Sequence, residues 1–313
     1  MIESSELNVA LDVDGEYGQL AELLLSPTVY KFIRSDAEVP ILYGPRGEGK
    51  TVGGIARIVR VATEHPDAQP LQGLLVRDTF RNLERTVSQT LLEGAQTGWW
   101  DVEFREQGTE AVLNGGIARL HLIGMDRPQD ANKFQGLAAG LGWIEEPAPA
   151  ADLSSGVPQD VFGLMWTSLR QSGVPRSLQM TMNAPDDDFW VLKLQSVEGF
   201  RVETFWIPPG ENRHLPAMYR EQMRQALMQA GRGDLVARLV EGKPGMIQLG
   251  AALVPPFSRL MHVAKGPLEV YQNLDMVRLW DSGAGDLHPA CVFLQAAPKL
   301  GVNILASCVA ENI

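Results

Sequence analysis

The chain has 313 residues, 45% of them apolar and 21% charged, with a formal net charge of -11 and two cysteines. That length leaves room for roughly two domains and a large buried core, and the composition excludes a disordered chain, a collagen, a coiled coil and a disulfide miniprotein. The longest uncharged stretch, residues 244–258, is broken by Gly and Pro, so no membrane span is expected.

The N-terminus is acidic and lacks the basic start and apolar core of a signal peptide. Residues 1–38 carry eight acids and two bases, so -6 of the net -11 lies there and -5 is spread over the other 275 residues. A surface of that charge should not cling to nucleic acid everywhere, yet a local basic groove remains compatible with it. Leu20, Leu23 and Leu24 stand at helical spacing, and residues 1–38 are read as an N-terminal helical arm.

Strand-like and helix-like segments then alternate. Residues 39–43 (VPILY) form an apolar strand, and residues 50–63 a helix with Ile55, Ile58, Val59 and Ala62 on one face. Residues 74–76 are a second strand, followed by a helix over about 81–95. Asn114-Gly115-Gly116 between apolar runs signals a hairpin within 112–124. Residues 141–144 and 178–182 read as strands, with a helix over 161–169 between them. This alternation predicts an α/β core with a mainly parallel sheet over residues 39–200.

Beyond Asp186-Asp187-Asp188 the character changes. Residues 201–207 give one more strand, and two polar helices follow, over about 216–230 and 234–242. Val254-Pro-Pro-Phe257 reads as a linker boundary. MVRLWDSG, PACVFLQ and VNILASCVA, within residues 266–313, are three strands joined by short turns, a meander. Cys291 and Cys308 read as small buried hydrophobes of a reducing compartment.

The sharpest motif is Gly44-Pro45-Arg46-Gly47-Glu48-Gly49-Lys50-Thr51, which fits G-x-x-x-x-G-K-[ST] between a strand and a helix. Its glycines let backbone N–H groups turn onto phosphates, and the following helix aims its positive end at the same anion. Lys50 would sit on the β- and γ-phosphates of ATP, and the Thr51 hydroxyl would ligate Mg²⁺. The strand LGWI ends in Glu145 and Glu146, at the carboxyl edge where open α/β sheets bind ligands. Glu145 would hold the metal through water, and Glu146 would orient or deprotonate the attacking water. Two adjacent buried carboxylates need a cation nearby. At the end of strand 178–182, Thr181 or Asn183 could sense the γ-phosphate. Arg46, Arg77, Arg81 and Arg85 are the arginines that could stabilise transition-state charge, and Arg46 is held closest by the loop.

The ordered set of segments resembles the large subunit of the tailed-phage terminase. It comprises GPRGEGKT, VRDTFRNLERTV, DANKFQGLAAGLGWIEE, MWTSLRQ, LQMTMNAP, IPPGENRHLPAMY, RLVEGKPGMIQLGAALVPPF and VRLWDSGAGDLHPACVFLQ, together covering roughly residues 39 to 313. Glu145 departs from the family, standing where an aspartate is common.

The resemblance implies a P-loop ATPase of the additional-strand, catalytic-glutamate type, followed by the start of a ribonuclease-H-like nuclease. In that reading MWTSLRQ and LQMTMNAP are the coupling segment, and residues 201–265, with IPPGENRHLPAMY and RLVEGKPGMIQLGAALVPPF, are the linker or lid subdomain. Asp281, at the end of the first meander strand, is the first ligand of a second divalent-metal site (Mg²⁺ or Mn²⁺). Asp286 and His288 are weaker ligands, and Glu311 stands too early to replace the family's later carboxylates. The nuclease is therefore expected to be truncated, and its endonuclease activity lost. The family's activity is ATP-driven movement of double-stranded DNA into a procapsid. The implied partners are double-stranded DNA, the small terminase subunit, the portal ring and further copies in a homo-oligomeric ring. The implied location is the cytoplasm of the bacterial host and not the mature virion. A helicase-like ATPase, an inactive prophage remnant and a small-molecule kinase are the competing readings.

Overall fold

The computed structural model describes residues 8–10, 22–24, 26–126, 130, 133–134, 136–148, 156–187, 189–245, 264, 266, 268–281, 290–297 and 301–309. The chain divides into two units, Met1–Gly250 and Ala251–Ile313.

In the first unit, β1 (Asn8–Ala10) and β2 (Glu22–Leu24) form an antiparallel pair. This corrects the expected helical arm: Leu23 and Leu24 lie in a strand, and Leu20 is outside the described residues. The helix that does form, α1 (Pro27–Arg34), begins only at Pro27. A residue before proline is pushed out of the helical region, and Ser26 is extended there, its side chain capping the Val29 N–H. Nor is α1 an arm set apart from the core, because Val29, Phe32 and Ile33 are buried against Leu42, Ala56 and Ile207.

The main sheet contains β3 (Val39–Gly44), β4 (Leu71–Arg77), β5 (Val102–Arg105), β6 (Glu110–Leu113), β7 (Ala118–Gly124), β8 (Leu141–Glu145), β9 (Ser177–Asn183) and β10 (Val202–Trp206). Its spatial order is β10-β3-β9-β8-β4-β7-β6-β5. Pairing is parallel from β10 through β7 and antiparallel only across β7-β6-β5. The expected mainly parallel sheet is thus present. The P-loop strand β3 is separated from the acid-pair strand β8 by the inserted strand β9, the additional-strand arrangement. The hairpin expected at Asn114-Gly115-Gly116 joins β6 to β7.

Both faces of the parallel strands are covered, which is why they read as apolar runs. On one face Ile41, Leu74, Val76, Ile144, Met180 and Met182 pack with Val161, Phe162 and Met165 of α5 (Gln159–Ser168). On the other, Leu71, Leu75, Leu141 and Trp143 pack with Ile55, Ile58, Val59 and Ala62 of α2 (Lys50–Glu64). Trp143 lies so close to α2 that a Cβ at Gly54 would meet its ring at 2.4 Å. β4 runs longer than the expected 74–76, and Gly73 within it leaves room for Leu120, which a Cβ there would meet at 2.5 Å.

After β4 the chain forms α3 (Phe80–Leu83), a π turn (Glu84–Ser88) and α4 (Gln89–Gln96) in succession, where the sequence suggested one regular helix. Later come α6 (Trp190–Lys193), α7 (Tyr219–Gln229) and α8 (Asp234–Leu239). No side chain of α7 is buried, whereas α8 buries Leu235, Val236 and Arg238.

The second unit is an antiparallel meander of β11 (Met276–Asp281), β12 (Ala290–Ala297) and β13 (Gly301–Val309). Cys291 is buried, as expected. The Val254-Pro-Pro-Phe257 boundary lies outside the described residues.

Candidate functional site

The period-two geometry of strands builds the site. In β8, Glu145 shares a face with Trp143 and therefore points toward α2. In β9, the alternation L-Q-M-T-M-N sends Leu178, Met180 and Met182 to one core and Gln179, Thr181 and Asn183 to the α2 side. Each of those three finds a partner there. Gln179 donates to the Gly54 carbonyl (2.8 Å), the Thr181 hydroxyl donates to Glu145 Oε2, and Asn183 Oδ1 accepts from Lys50 Nζ (3.1 Å).

The loop between β3 and α2 has Gly47 at φ +85° and Gly49 at φ +80°, conformations that favour glycine. Lys50, the first residue of α2, folds back so that Nζ donates to the carbonyls of Pro45 (2.5 Å) and Gly44 (3.3 Å) as well as to Asn183. Burial pushes its ammonium pKa down, against the pull of Glu146, Glu145 and Glu48. The Thr51 hydroxyl donates to Glu145 Oε1 at 2.8 Å. These two hard oxygen groups suit Mg²⁺, which binds through one or two protein oxygens plus phosphates and water. Among the described residues no group of three or more His, Cys, Asp or Glu side chains is arranged to hold a metal.

Glu146 lies just past β8 with φ +50°, a backbone state that costs a non-glycine residue on the order of 1–2 kcal/mol. Its N–H donates to the Thr181 carbonyl (2.8 Å), which holds the turn. Its carboxylate accepts two bonds from one residue, Asn183 N (3.1 Å) and Asn183 Nδ2 (2.9 Å). Burial and then the neighbouring Glu145 push its carboxyl pKa above the usual range, with Lys50, the Asn183 N–H and Arg77 pulling the other way. Asn183 thus bridges the P-loop lysine and the second glutamate.

Two P-loop side chains lie elsewhere. Arg46 is exposed, and its backbone N–H is tied to the Leu239 carbonyl of α8 (2.9 Å). Glu48 is fully buried. It accepts from Gly210 N (3.0 Å), Asn212 N (2.7 Å) and the Arg220 guanidinium (3.2 Å), while Asn212 Nδ2 donates to the Gly47 carbonyl (2.6 Å). The polar helix α7 is therefore anchored to the phosphate loop by charge. Glu48→Ala would strand two N–H groups and Arg220. Because Arg220 keeps some solvent, a loss near the low end for a broken buried pair is expected, about 3 kcal/mol in urea denaturation.

The sequence reading missed this seat, and also Arg238, buried in α8 with Nε donating to the Ala184 carbonyl (2.5 Å). An arginine inside the apolar run DLVARLV was the only available signal. Burial pushes its pKa down, against Asp186, Glu146 and Asp234. Among the remaining residues, Asp281 ends β11 opposite Ala290, while Asp286, His288 and Glu311 lie outside the described residues.

No protein-family profile matches the chain, and no curated protein matches it in sequence. Solved structures do match. One is the large terminase of the thermophilic bacteriophage D6E, with a TM-score of 0.57, 15% identity, and 92% of this chain and 68% of that one covered. The chain has the fold of a phage large terminase. The D6E terminase in complex with ADP matches with a TM-score of 0.52 at 14% identity over the same shares. The terminase fold agrees with the resemblance drawn from the motifs. No helix of the described residues is long and apolar enough to cross a membrane.

Proposed function

We propose that the chain is an ATP-hydrolysing motor subunit of a viral DNA-packaging machine. One observation carries this reading. Lys50, Thr51, Glu145, Glu146 and Asn183 converge at the carboxyl ends of the adjacent strands β3, β9 and β8, joined by hydrogen bonds of 2.8 to 3.1 Å. The ADP complex of the D6E terminase adds support for a nucleotide ligand.

In this mechanism the loop N–H groups and the helix end of α2 cradle the phosphates. Lys50 exchanges the Gly44 and Pro45 carbonyls for β- and γ-phosphate oxygens. Thr51 and Glu145 would hold Mg²⁺, which supplies charge neutralisation on those phosphates. Glu146, held by Asn183, orients the attacking water and takes its proton. Exposed Arg46 contributes positive charge at the mouth of the loop.

The motor would move double-stranded DNA into a procapsid. It would assemble as a ring with the portal and the small terminase subunit in the host cytoplasm. Residues 266–313 would open a ribonuclease-H-like domain, with Asp281 as a divalent-metal ligand.

The test is phosphate release by the purified chain with Mg²⁺ and ATP, with and without duplex DNA. Hydrolysis without strand separation on a forked substrate is expected. Absence of hydrolysis would remove the motor reading, and strand separation would replace it with the helicase reading.

A further inference from the structure

Arg77 closes β4, and the parallel register that sets Val76 against Ile144 brings it alongside Glu145. Its side chain is 12% exposed. One guanidinium nitrogen, Nη1, lies 3.8 Å from Glu145 Oε1, the oxygen that also accepts from Thr51. The same nitrogen donates to Thr86 Oγ1 at 2.6 Å. Thr86 sits in the π turn, and its hydroxyl passes a bond to the Asn82 carbonyl (2.8 Å). On the other side Nε lies 3.5 Å from Asp78, whose carboxylate also takes both bonds from Asn82 Nδ2. A π turn inserted in an α-helix costs regular hydrogen bonding and recurs at functional sites. Here it places the Thr86 hydroxyl that holds Arg77.

We propose that Arg77, seated by Thr86 of the π turn, is a positioning residue that fixes the Glu145 carboxylate against Thr51. The proposal rests on the ATPase reading and deepens it. Arg77 is held within the chain by Thr86 and Asp78 and faces the chain's own acid pair. Its charge faces the acid pair from the β4 side, while Lys50 faces it from the loop. Glu145 is then oriented on Oε1 by Thr51 and Arg77 and on Oε2 by Thr181, which in turn accepts from Trp143 Nε1 (2.8 Å).

The experiment uses the full chain with Arg77→Gln, Arg77→Lys and Thr86→Val. Crystal structures without nucleotide read the geometry directly. In Arg77→Gln the Glu145 carboxylate is expected to leave Thr51, and in Arg77→Lys to stay. An unmoved Glu145 in Arg77→Gln overturns the proposal whether or not the protein turns over ATP. Steady-state hydrolysis gives the second reading. Removing a group that orients a metal ligand lowers activity roughly 10- to 100-fold. Arg77→Gln should therefore lose that much in kcat, keep the KM for ATP within about 3-fold, and need more Mg²⁺ for half-maximal rate. Arg77→Lys should recover most of the rate and Thr86→Val should fall between. Equal loss in the Gln and Lys variants, with a lowered Tm, would make Arg77 merely structural and overturn the proposal. A wild-type chain that hydrolyses no ATP would sink the ATPase reading alone, because the crystallographic comparison would still decide the role of Arg77.

Discussion

Lys50→Ala is expected to lower ATP hydrolysis roughly 10²–10³-fold in a chain that still folds. Lys50 is only 7% exposed, and its ammonium contacts two loop carbonyls and Asn183. In water the two carbonyls would each form a bond at little cost, so what Lys50 provides is a cation already placed where phosphate charge arrives. Three glutamates, at positions 48, 145 and 146, raise its proton affinity against the burial that lowers it. A preorganised donor of this kind contributes roughly 10²–10³ in rate when removed singly. Because Lys50 also binds the ground-state phosphates, nucleotide affinity should fall with it. Lys50→Arg should not rescue, since a planar guanidinium needs a different seat from a point-charge ammonium. Phosphate release and equilibrium nucleotide binding check both parts, with a thermal melt to confirm folding. Hydrolysis by Lys50→Ala at the wild-type rate would remove Lys50 from the site.

What could be read in the sequence followed from local rules. The P-loop was legible because positive-φ glycines, a lysine and a hydroxyl must stand at fixed spacing between a strand and a helix. The strands β3, β8 and β9 were legible because burial on both faces leaves apolar runs. Glu145 and Glu146 were found as acids at a strand end. The alternation L-Q-M-T-M-N held more than was drawn from it, since its three polar members all point at α2. The parts not legible depend on distant pairing or on subtle helix geometry. Glu48 looks like one more loop residue until Gly210, Asn212 and Arg220, more than 160 positions away, surround it. The π turn at Glu84–Ser88 changes the helical count by one residue, below what hydrophobic spacing can detect. The N-terminal leucines fit a helical period by chance over a few positions, while the stronger signal, Pro27 after Ser26, marked where the helix begins.

Glu146→Gln should separate binding from turnover, which Lys50→Ala cannot do. The substitution keeps length and shape, and an amide oxygen can still accept one of the two Asn183 bonds. The other Asn183 donor would then face an NH₂ group, so the side chain is held less firmly as well as losing its basicity. A positioned general base contributes typically 10²–10⁴-fold. A loss of about 10³-fold in kcat is therefore expected, with nucleotide affinity unchanged or higher because one negative charge near the phosphates is gone. Glu146→Asp keeps the charge but draws the carboxylate back by one methylene from Asn183 N and Nδ2, and misplacement alone can cost about 10²-fold. The order wild type, Asp, Gln in rate, at constant affinity, follows if Glu146 acts on water. If Asp and Gln fall equally and affinity falls with them, Glu146 is a structural anchor of the β8–β9 edge. Its left-handed backbone argues against that second outcome, because a purely structural turn at this position would be met more cheaply by glycine. Single-turnover hydrolysis and nucleotide titration on the same three proteins decide between the two.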